Sequence, residues 1–513
     1  MPCIFSREGS LCFDFMKYNF FNQTFEESNI RPEKLAVSGS DRDLSWQDLK
    51  SLALDIAAQI ESLNIPKGHP IVIYGHKEVA YVAAIMACYH CCMTYIPMDS
   101  IYPEERINDI KSQTHSLVLI DCSERKHGLK FAATIYPGES IECNEALDFS
   151  GKIFGDEKDP LQYIMFTSGS TGRPKGVMIS RGGILSFIRW SHETYQLLEE
   201  DVFMNQAPFT FDISLCDVLT SMSNGASLVL NTKEIQSNQD LLLQRIKQYQ
   251  CSVWTSTPSF GFVFLRHPSF SQEQLPSLRH FLFMGEVLPN KTCAVLFQKF
   301  PDCTIANCYG PTEASIVTTH IFITPEIIAQ HPVLPVGYAK KGSIFRIKKN
   351  NEQEEYGELL IGGDHVGVGY FGDKALSASK FIRIDDVPFF VTGDYAKQEN
   401  GLWFFGGRND DQIKLHGFRI ELNEISAVIE KFEKTLEACV VPLKRNNEVK
   451  KIIAFVKFSE EHAVETTIKE LEEFMQQRLP YYMMPAEIVS VTVFPFTASH
   501  KIDKNKLLAD YSQ

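Results

Sequence analysis

The sequence predicts an α/β protein: a large N-terminal domain built on parallel βα sheets, followed by a small α+β C-terminal domain. Three observations carry that prediction. The 513 residues exceed what one hydrophobic core organises, so several domains or subdomains are required. Short apolar runs alternate with helical patterns over most of the chain, as βα units demand. Beyond about residue 350 the strands shorten and read as antiparallel, and a compact unit follows residue 410.

Residues 71–74 read as the first clear strand. The apolar stretch 79–98 approaches the length of a membrane span, but His90, Thr94 and Pro97 interrupt it. It reads instead as a buried helix running into a strand at 94–97. Further strands are expected at 117–120, 163–166, 227–230, 252–255 and 281–284, with a one-faced helix at 241–250. Shorter strands follow at 358–361, 389–392 and 402–405. The last unit reads as a helix at 421–432, a strand at 452–458 and a helix at 465–478. The charged stretch Arg408, Asp410, Asp411 precedes it and is read as a hinge, with an ordinary polar turn as the other reading. This divides the chain into an extension of unknown role (1–15), a large domain (16–409) and a small one (410–513). The extension lacks the charged start and long apolar stretch of a signal peptide.

The formal net charge of −14 argues against a nucleic-acid partner and fits a soluble cytoplasmic protein with no integral membrane segment. The 13 cysteines read as small buried hydrophobes in a reducing compartment. The cluster Cys88, His90, Cys91, Cys92 reads as core packing, since no second ligand pair follows it.

The run Phe166-Thr-Ser-Gly-Ser-Thr-Gly-Arg-Pro-Lys-Gly-Val177 follows a strand. Gly169, Gly172 and Gly176 let the backbone come close to a ligand, Thr167, Ser168, Ser170 and Thr171 supply hydroxyls, and Lys175 supplies a charge. Such a loop suits a polyphosphate. Arg173 and Pro174 separate Gly172 from Lys175, so it is not a Walker A loop, and a P-loop kinase is disfavoured. Asp212 directly follows the aromatic residues Phe209 and Phe211. There a carboxylate suits a substrate ammonium, or equally a helix N-cap. In Asn307-Cys-Tyr-Gly-Pro-Thr-Glu313, Tyr309 is placed to stack on a purine. The turn at Gly310-Pro311 presents Thr312 and Glu313, and that carboxylate suits Mg²⁺ or a helix cap. Asp394 follows an apolar strand and suits two vicinal ribose hydroxyls; Arg408 follows another strand.

Together these runs resemble the adenylate-forming enzymes: acyl-CoA ligases, luciferases and peptide-synthetase adenylation domains. The resemblance extends from Met16 to the C-terminus. It implies that fold, with a small barrel-like β subdomain after the parallel sheets and a mobile C-terminal domain swinging about Asp410. It implies that ATP is held by Thr167, Ser168, Gly169, Ser170, Thr171, Gly172 and Lys175. The same role is carried onto Asn307, Cys308, Tyr309, Gly310, Pro311 and Thr312, and onto Asp394, Phe405, Gly406, Gly407 and Arg408. It makes Glu313 the Mg²⁺ residue and Asp212 the holder of an α-amino group. Lys414 and Gly417 approach in a second half-reaction. Lys501 becomes the catalytic lysine, contacting the α-phosphate and the substrate carboxylate; the family usually has glycine before it, and here stands His500.

The longer segments NQAPFTFD, VWTSTPSF, FLFMGEVLPN, QIKLHGFRIEL and LPYYMMP resemble the stand-alone ligases that load D-alanine onto a carrier protein. In that family a cysteine commonly precedes Gly285-Glu286; here it is Met284, which with Ile316 would line the side-chain pocket. The implied activity is ATP-dependent formation of D-alanyl-AMP, then transfer to a phosphopantetheine thiol on a carrier protein, as in teichoic-acid D-alanylation. Another small amino acid, an acyl-CoA ligase, and a non-enzymatic adenylation-like binding module are the alternatives. Asp212 speaks against the second and the full set of polar residues against the third.

Overall fold

The computed structural model describes residues 30–123, 127–147, 149, 160–169, 173–349, 351, 353–408, 412–445, 448–459, 464–495 and 502–511. Residues 1–15 and the expected hinge, Asp410 and Asp411, lie outside the described residues, as do Ser170, Thr171, Gly172, His500 and Lys501.

Two large sheets form the N-terminal domain. In the first, an eight-stranded sheet, Ile71–Gly75 sits centrally between Tyr95–Asp99 and Val118–Asp121, parallel to both. All five of its residues are buried, which explains why it reads as a continuous apolar run rather than an alternating one. The helix Val79–His90 follows it. Every residue from Val79 to Tyr89 is buried, so this helix is apolar all round because it is enclosed by protein. Among the described residues no helix is long and apolar enough to cross a membrane. Toward one edge of this sheet the chain departs from a purely parallel plan. Leu161–Thr167 pairs antiparallel with Lys175–Ser180, so the glycine-rich loop joins the two arms of a hairpin.

The second sheet has nine strands. Ser227–Leu230, Val202–Asn205, Val253–Ser256, His280–Phe283 and Thr304–Tyr309 lie side by side and parallel. Thr319–Ile323 adds an antiparallel strand beyond Thr304–Tyr309. A five-stranded antiparallel sheet follows, from Ile344–Lys348 to Leu402–Arg408. Its strand Val387–Glu399 is 13 residues long and pairs with three neighbours, well beyond the 389–392 expected.

The C-terminal domain opens with the hairpin Gln412–Leu415 and Phe418–Glu421. A three-stranded sheet of Thr435–Arg445, Glu448–Phe458 and Glu487–Ser490 packs with the helices Leu422–Ile429 and Val464–Gln476 around one apolar cluster. The first helix is shorter than the 421–432 expected: Glu421 belongs to the hairpin, and a turn begins at Glu430. The strand Thr435–Arg445, which carries Pro442 within it, was not among the expected elements.

Candidate functional site

Three segments of the second sheet converge where its parallel strands end. Asn205 ends one strand, and the segment after it leads to the helix Asp212–Asn224. Asp212 is the first residue of that helix and Phe211 its cap, so Asp212 is not the N-cap. Burial pushes its carboxyl up to about 6, against a hydrogen bond with Thr312 that lowers it. Its Oδ2 is buried and accepts no hydrogen bond. An orphaned carboxylate oxygen shielded from solvent fits an ammonium ligand, which would supply both the charge and the donors.

Met284 and Ile316 are both buried and belong to the apolar cluster that includes Phe209 and Cys308. Ser315 and Ile316 adopt φ of 58° and 71° in succession. A left-handed β-branched residue is strained, and the turn holds it there.

Thr304–Tyr309 leads into the turn Gly310-Pro311 and a single 3₁₀ turn, Thr312–Ala314. A Cβ at Gly310 would lie 2.3 Å from the carbonyl oxygen of Ile316, so this close approach requires glycine. Tyr309 donates to Asp394 at 2.5 Å, and Arg408 donates to the other oxygen of the same carboxylate. Phe405 lies 6.2 Å from the Tyr309 ring, and Gly406 and Gly407 join Phe405 to Arg408. The side chains of Asn307 and Cys308 are engaged elsewhere, with the carbonyl of Pro335 at 2.8 Å and the hydroxyl of Tyr195 at 3.2 Å.

Glu313 is fully buried. Its Oε1 accepts from Tyr370 at 2.8 Å and its Oε2 from Arg419 at 2.7 Å. Burial alone would raise its carboxyl, but Arg419 and Lys175 outweigh that and hold it at about 2. The group is therefore anionic and suits a cation. Among the described residues no cluster of three or more His, Cys, Asp or Glu surrounds it. A divalent ion there would need phosphate oxygens and water for the rest of its shell, as Mg²⁺ usually takes.

The glycine-rich loop meets the C-terminal hairpin. Ser168 Oγ donates to the carbonyl of Arg419 at 2.9 Å and accepts from the Glu421 N–H at 3.2 Å. Gly169 N–H donates to Glu424 at 2.8 Å, and Lys175 pairs with Glu421 at 3.4 Å. Thr167 Oγ1 is buried without a partner. Burial and the nearby Arg419 lower the Lys175 ammonium. Lys414 stands 6.0 Å from the Tyr309 ring, and Gly417 N–H donates to Glu286 at 2.6 Å. Between the hairpin turn and the 205–213 segment lies a pocket lined by His76, Pro208, Phe211, Lys233, His416 and Tyr481.

The site thus gathers Asp212, Thr312, Glu313, Tyr309, Asp394, Arg408, Ser168, Gly169 and Lys175. Arg419, Glu421, Glu424, Glu286 and Tyr370 join them without having been singled out. Arg419 and Glu421 stand inside the run 412–422, where Arg419 faces Lys414 across the hairpin. Glu424 and Tyr370 gave no local signal.

The arrangement has counterparts among known proteins. Residues 25–371 match the AMP-binding enzyme family and residues 424–501 the AMP-binding enzyme C-terminal domain. The D-alanine–D-alanyl carrier protein ligase of Bacillus cytotoxicus is 35% identical over 93% of this chain and 97% of its own length. That of Bacillus licheniformis is 35% identical over 94% and 97%. Among solved structures, IdnL1 aligns with a TM-score of 0.78 and 25% identity over 93% of this chain and 98% of that one. The Vibrio cholerae adenylation domain AlmE, solved with glycyl-adenosine-5′-phosphate, aligns over all of both chains with a TM-score of 0.79 and shares the fold at 20% identity. With a converging set of nucleotide-suited residues and two family matches in tandem, this chain belongs to the AMP-binding enzymes.

Proposed function

We propose that this protein is a ligase that activates D-alanine with ATP and passes it to the phosphopantetheine thiol of a carrier protein. The observation that carries the reading is Asp212: a half-buried residue whose carboxylate keeps one buried, unpartnered oxygen beside the phosphate-suited residues. Fatty and aryl acids have no group for that oxygen. The names of the 34–35% identical relatives specify D-alanine and a carrier protein.

In the first step an oxygen of the amino-acid carboxylate attacks the α-phosphorus of ATP. The bond from that phosphorus to the bridging oxygen breaks, and pyrophosphate leaves with its electron pair. Asp212 fixes the substrate ammonium, so the carboxylate is aimed while the methyl group faces Met284 and Ile316. Ser168, Gly169 and Lys175 hold the phosphates, and Asp394 accepts from the ribose hydroxyls. Glu313 would hold Mg²⁺, which neutralises phosphate charge when bound. Lys501 supplies positive charge where negative charge builds between carboxylate and phosphate. No side chain becomes a covalent nucleophile; positioning and charge compensation supply the catalysis.

In the second step the thiol sulfur attacks the aminoacyl carbonyl carbon, the thiol proton is lost, and AMP leaves. The hairpin at Gln412–Glu421 already lies against the site, and the pocket beside it suits a pantetheine arm. Its lining mixes aromatic faces with polar tips, matching amide and methylene groups. The reading places the enzyme in the cytoplasm, where ATP is present, in a pathway such as teichoic-acid D-alanylation.

Amino-acid-dependent ATP–pyrophosphate exchange over a panel of D- and L-amino acids tests this. D-alanine should give the highest kcat/KM. A preference for glycine or L-alanine would move the substrate, and exchange with fatty acids alone would overturn the reading of Asp212.

A further inference from the structure

Lys77 is 1% exposed, and neither step above uses it. It sits in the turn between the strand Ile71–Gly75 of the first sheet and the helix Val79–His90, yet the groups its ammonium donates to lie at and just beyond the end of the second-sheet strand Val202–Asn205. Its ammonium donates to Oδ1 of Asn205 and to the carbonyl of Ala207, and stands 4.3 Å from the centre of the Phe209 ring. Three alternate residues of one segment therefore converge on a single cation. Phe209 in turn stacks on Tyr81, with ring centres 4.5 Å apart. The amide of Asn205 donates onward to Asp217 at 3.0 Å, and Asp217 lies one and a half turns into the helix that Asp212 begins.

A buried ammonium is expensive to desolvate, and removing one partner of such a set is strongly destabilising. Burial lowers the Lys77 ammonium to about 7, and the negative charges of Asp99, Asp217 and Glu78 oppose that shift. Lysine at this place is thus costly, and everything it grips is the segment that walls the pocket through Ala207 and Pro208 and ends at Asp212. We propose that Lys77 is a positioning residue: through Asn205, Ala207 and Phe209 it fixes the segment 205–212, so that Asp212 presents its free oxygen to the substrate ammonium. The proposal rests on the reading of Asp212 given above.

A purely structural lysine would, when replaced, lower stability and affect both substrates alike. A positioning lysine would act on the amino acid alone. The full-length Lys77→Met protein, compared with wild type in ATP–pyrophosphate exchange, should show a KM for D-alanine raised about tenfold or more, with the KM for ATP within about twofold. An unchanged KM for D-alanine in the folded variant, or equal rises for both substrates, overturns the proposal. If Lys77→Met does not fold, Asp99→Asn keeps the shape while removing the counter-charge that most opposes the desolvation of Lys77. It should raise the D-alanine KM about threefold or more at constant ATP KM, and an unchanged D-alanine KM again overturns the proposal. Wild type that exchanges only with another amino acid revises the substrate instead, and the Lys77 measurement is then made with that amino acid. Wild type that exchanges with none overturns the functional reading and the Lys77 proposal with it.

Discussion

In the proposed function Asp212 carries its chemistry at a cost to stability. Its carboxyl ordinarily loses a proton near 3.8, and in the folded protein burial raises that to about 6. The protonated form is the one the empty fold prefers. The corresponding contribution to stability is complete below the ordinary value and is lost as the pH rises through about 6. Asp212→Asn stays neutral, so above pH 6 its thermal midpoint should exceed that of wild type by roughly one to three degrees. The same variant should lose amino-acid-dependent exchange by about thirtyfold or more, because the ammonium loses its counter-charge. In wild type the KM for the amino acid should climb by about tenfold per unit as the pH falls below 6. A flat profile between pH 5 and 7 would contradict the assignment. The pocket residues give a second prediction. Met284→Ala opens a buried methionine site, and should shift relative kcat/KM toward amino acids larger by one or two carbons by about tenfold, at a stability loss of about 2–5 kcal/mol. The run that holds Asp212 was legible in the sequence because its aromatic neighbours are adjacent in the chain. The shift of its carboxyl was not, since it reflects burial in the fold together with Thr312, Glu313 and Arg419, which are brought in from far away.

At the scale of elements, the hairpin of Gln412–Leu415 and Phe418–Glu421 turns through two residues, His416 and Gly417, with φ of 52° and 85°. Two positive φ values in a two-residue turn match the right-handed twist of the flanking strands, and glycine is favoured at the second. Gly417 is held to glycine twice over: an added Cβ would also lie 2.5 Å from the methyl group of Thr257. Gly417→Ala must lift the turn off Thr257 and Glu286. It should slow thioester transfer by about a hundredfold and leave exchange within about threefold, since no residue of the first step depends on this seat. Equal losses in both assays would contradict that division. The hairpin run was legible as a motif, and so were the central strands, whose apolar runs are continuous. The antiparallel return Lys175–Ser180 was not expected, because its first half reads as part of the glycine-rich loop. Nor was the strand Thr435–Arg445 expected.

At the scale of the whole molecule, what the sequence could not show is how the C-terminal domain meets the phosphate loop. The contacts join residues 246 to 255 positions apart, beyond any local pattern. Their chemistry is specific. Glu424 takes the Gly169 N–H, Glu421 takes Lys175, and Arg419 neutralises Glu313. These are the donors that the proposed function gives to phosphate oxygens and the carboxylate it gives to Mg²⁺. Two carboxylates and a guanidinium thus stand where a polyphosphate and its cation would act, and the two sets of contacts exclude one another. The arrangement described here is compatible with AMP but not with pyrophosphate on those donors. Pyrophosphate must therefore leave before the hairpin can settle, and excess pyrophosphate should inhibit thioester transfer even when aminoacyl-AMP is already formed. Glu421→Gln removes one of the competing charges. An ion pair of this partly buried kind, once broken, should raise the sensitivity of transfer to pyrophosphate by about threefold to tenfold, with exchange little changed. Single-turnover transfer from preformed aminoacyl-AMP, at rising pyrophosphate and with the ATP re-formed by reversal counted separately, measures this. Equal inhibition of wild type and Glu421→Gln would mean that the carboxylate does not compete for Lys175 during transfer.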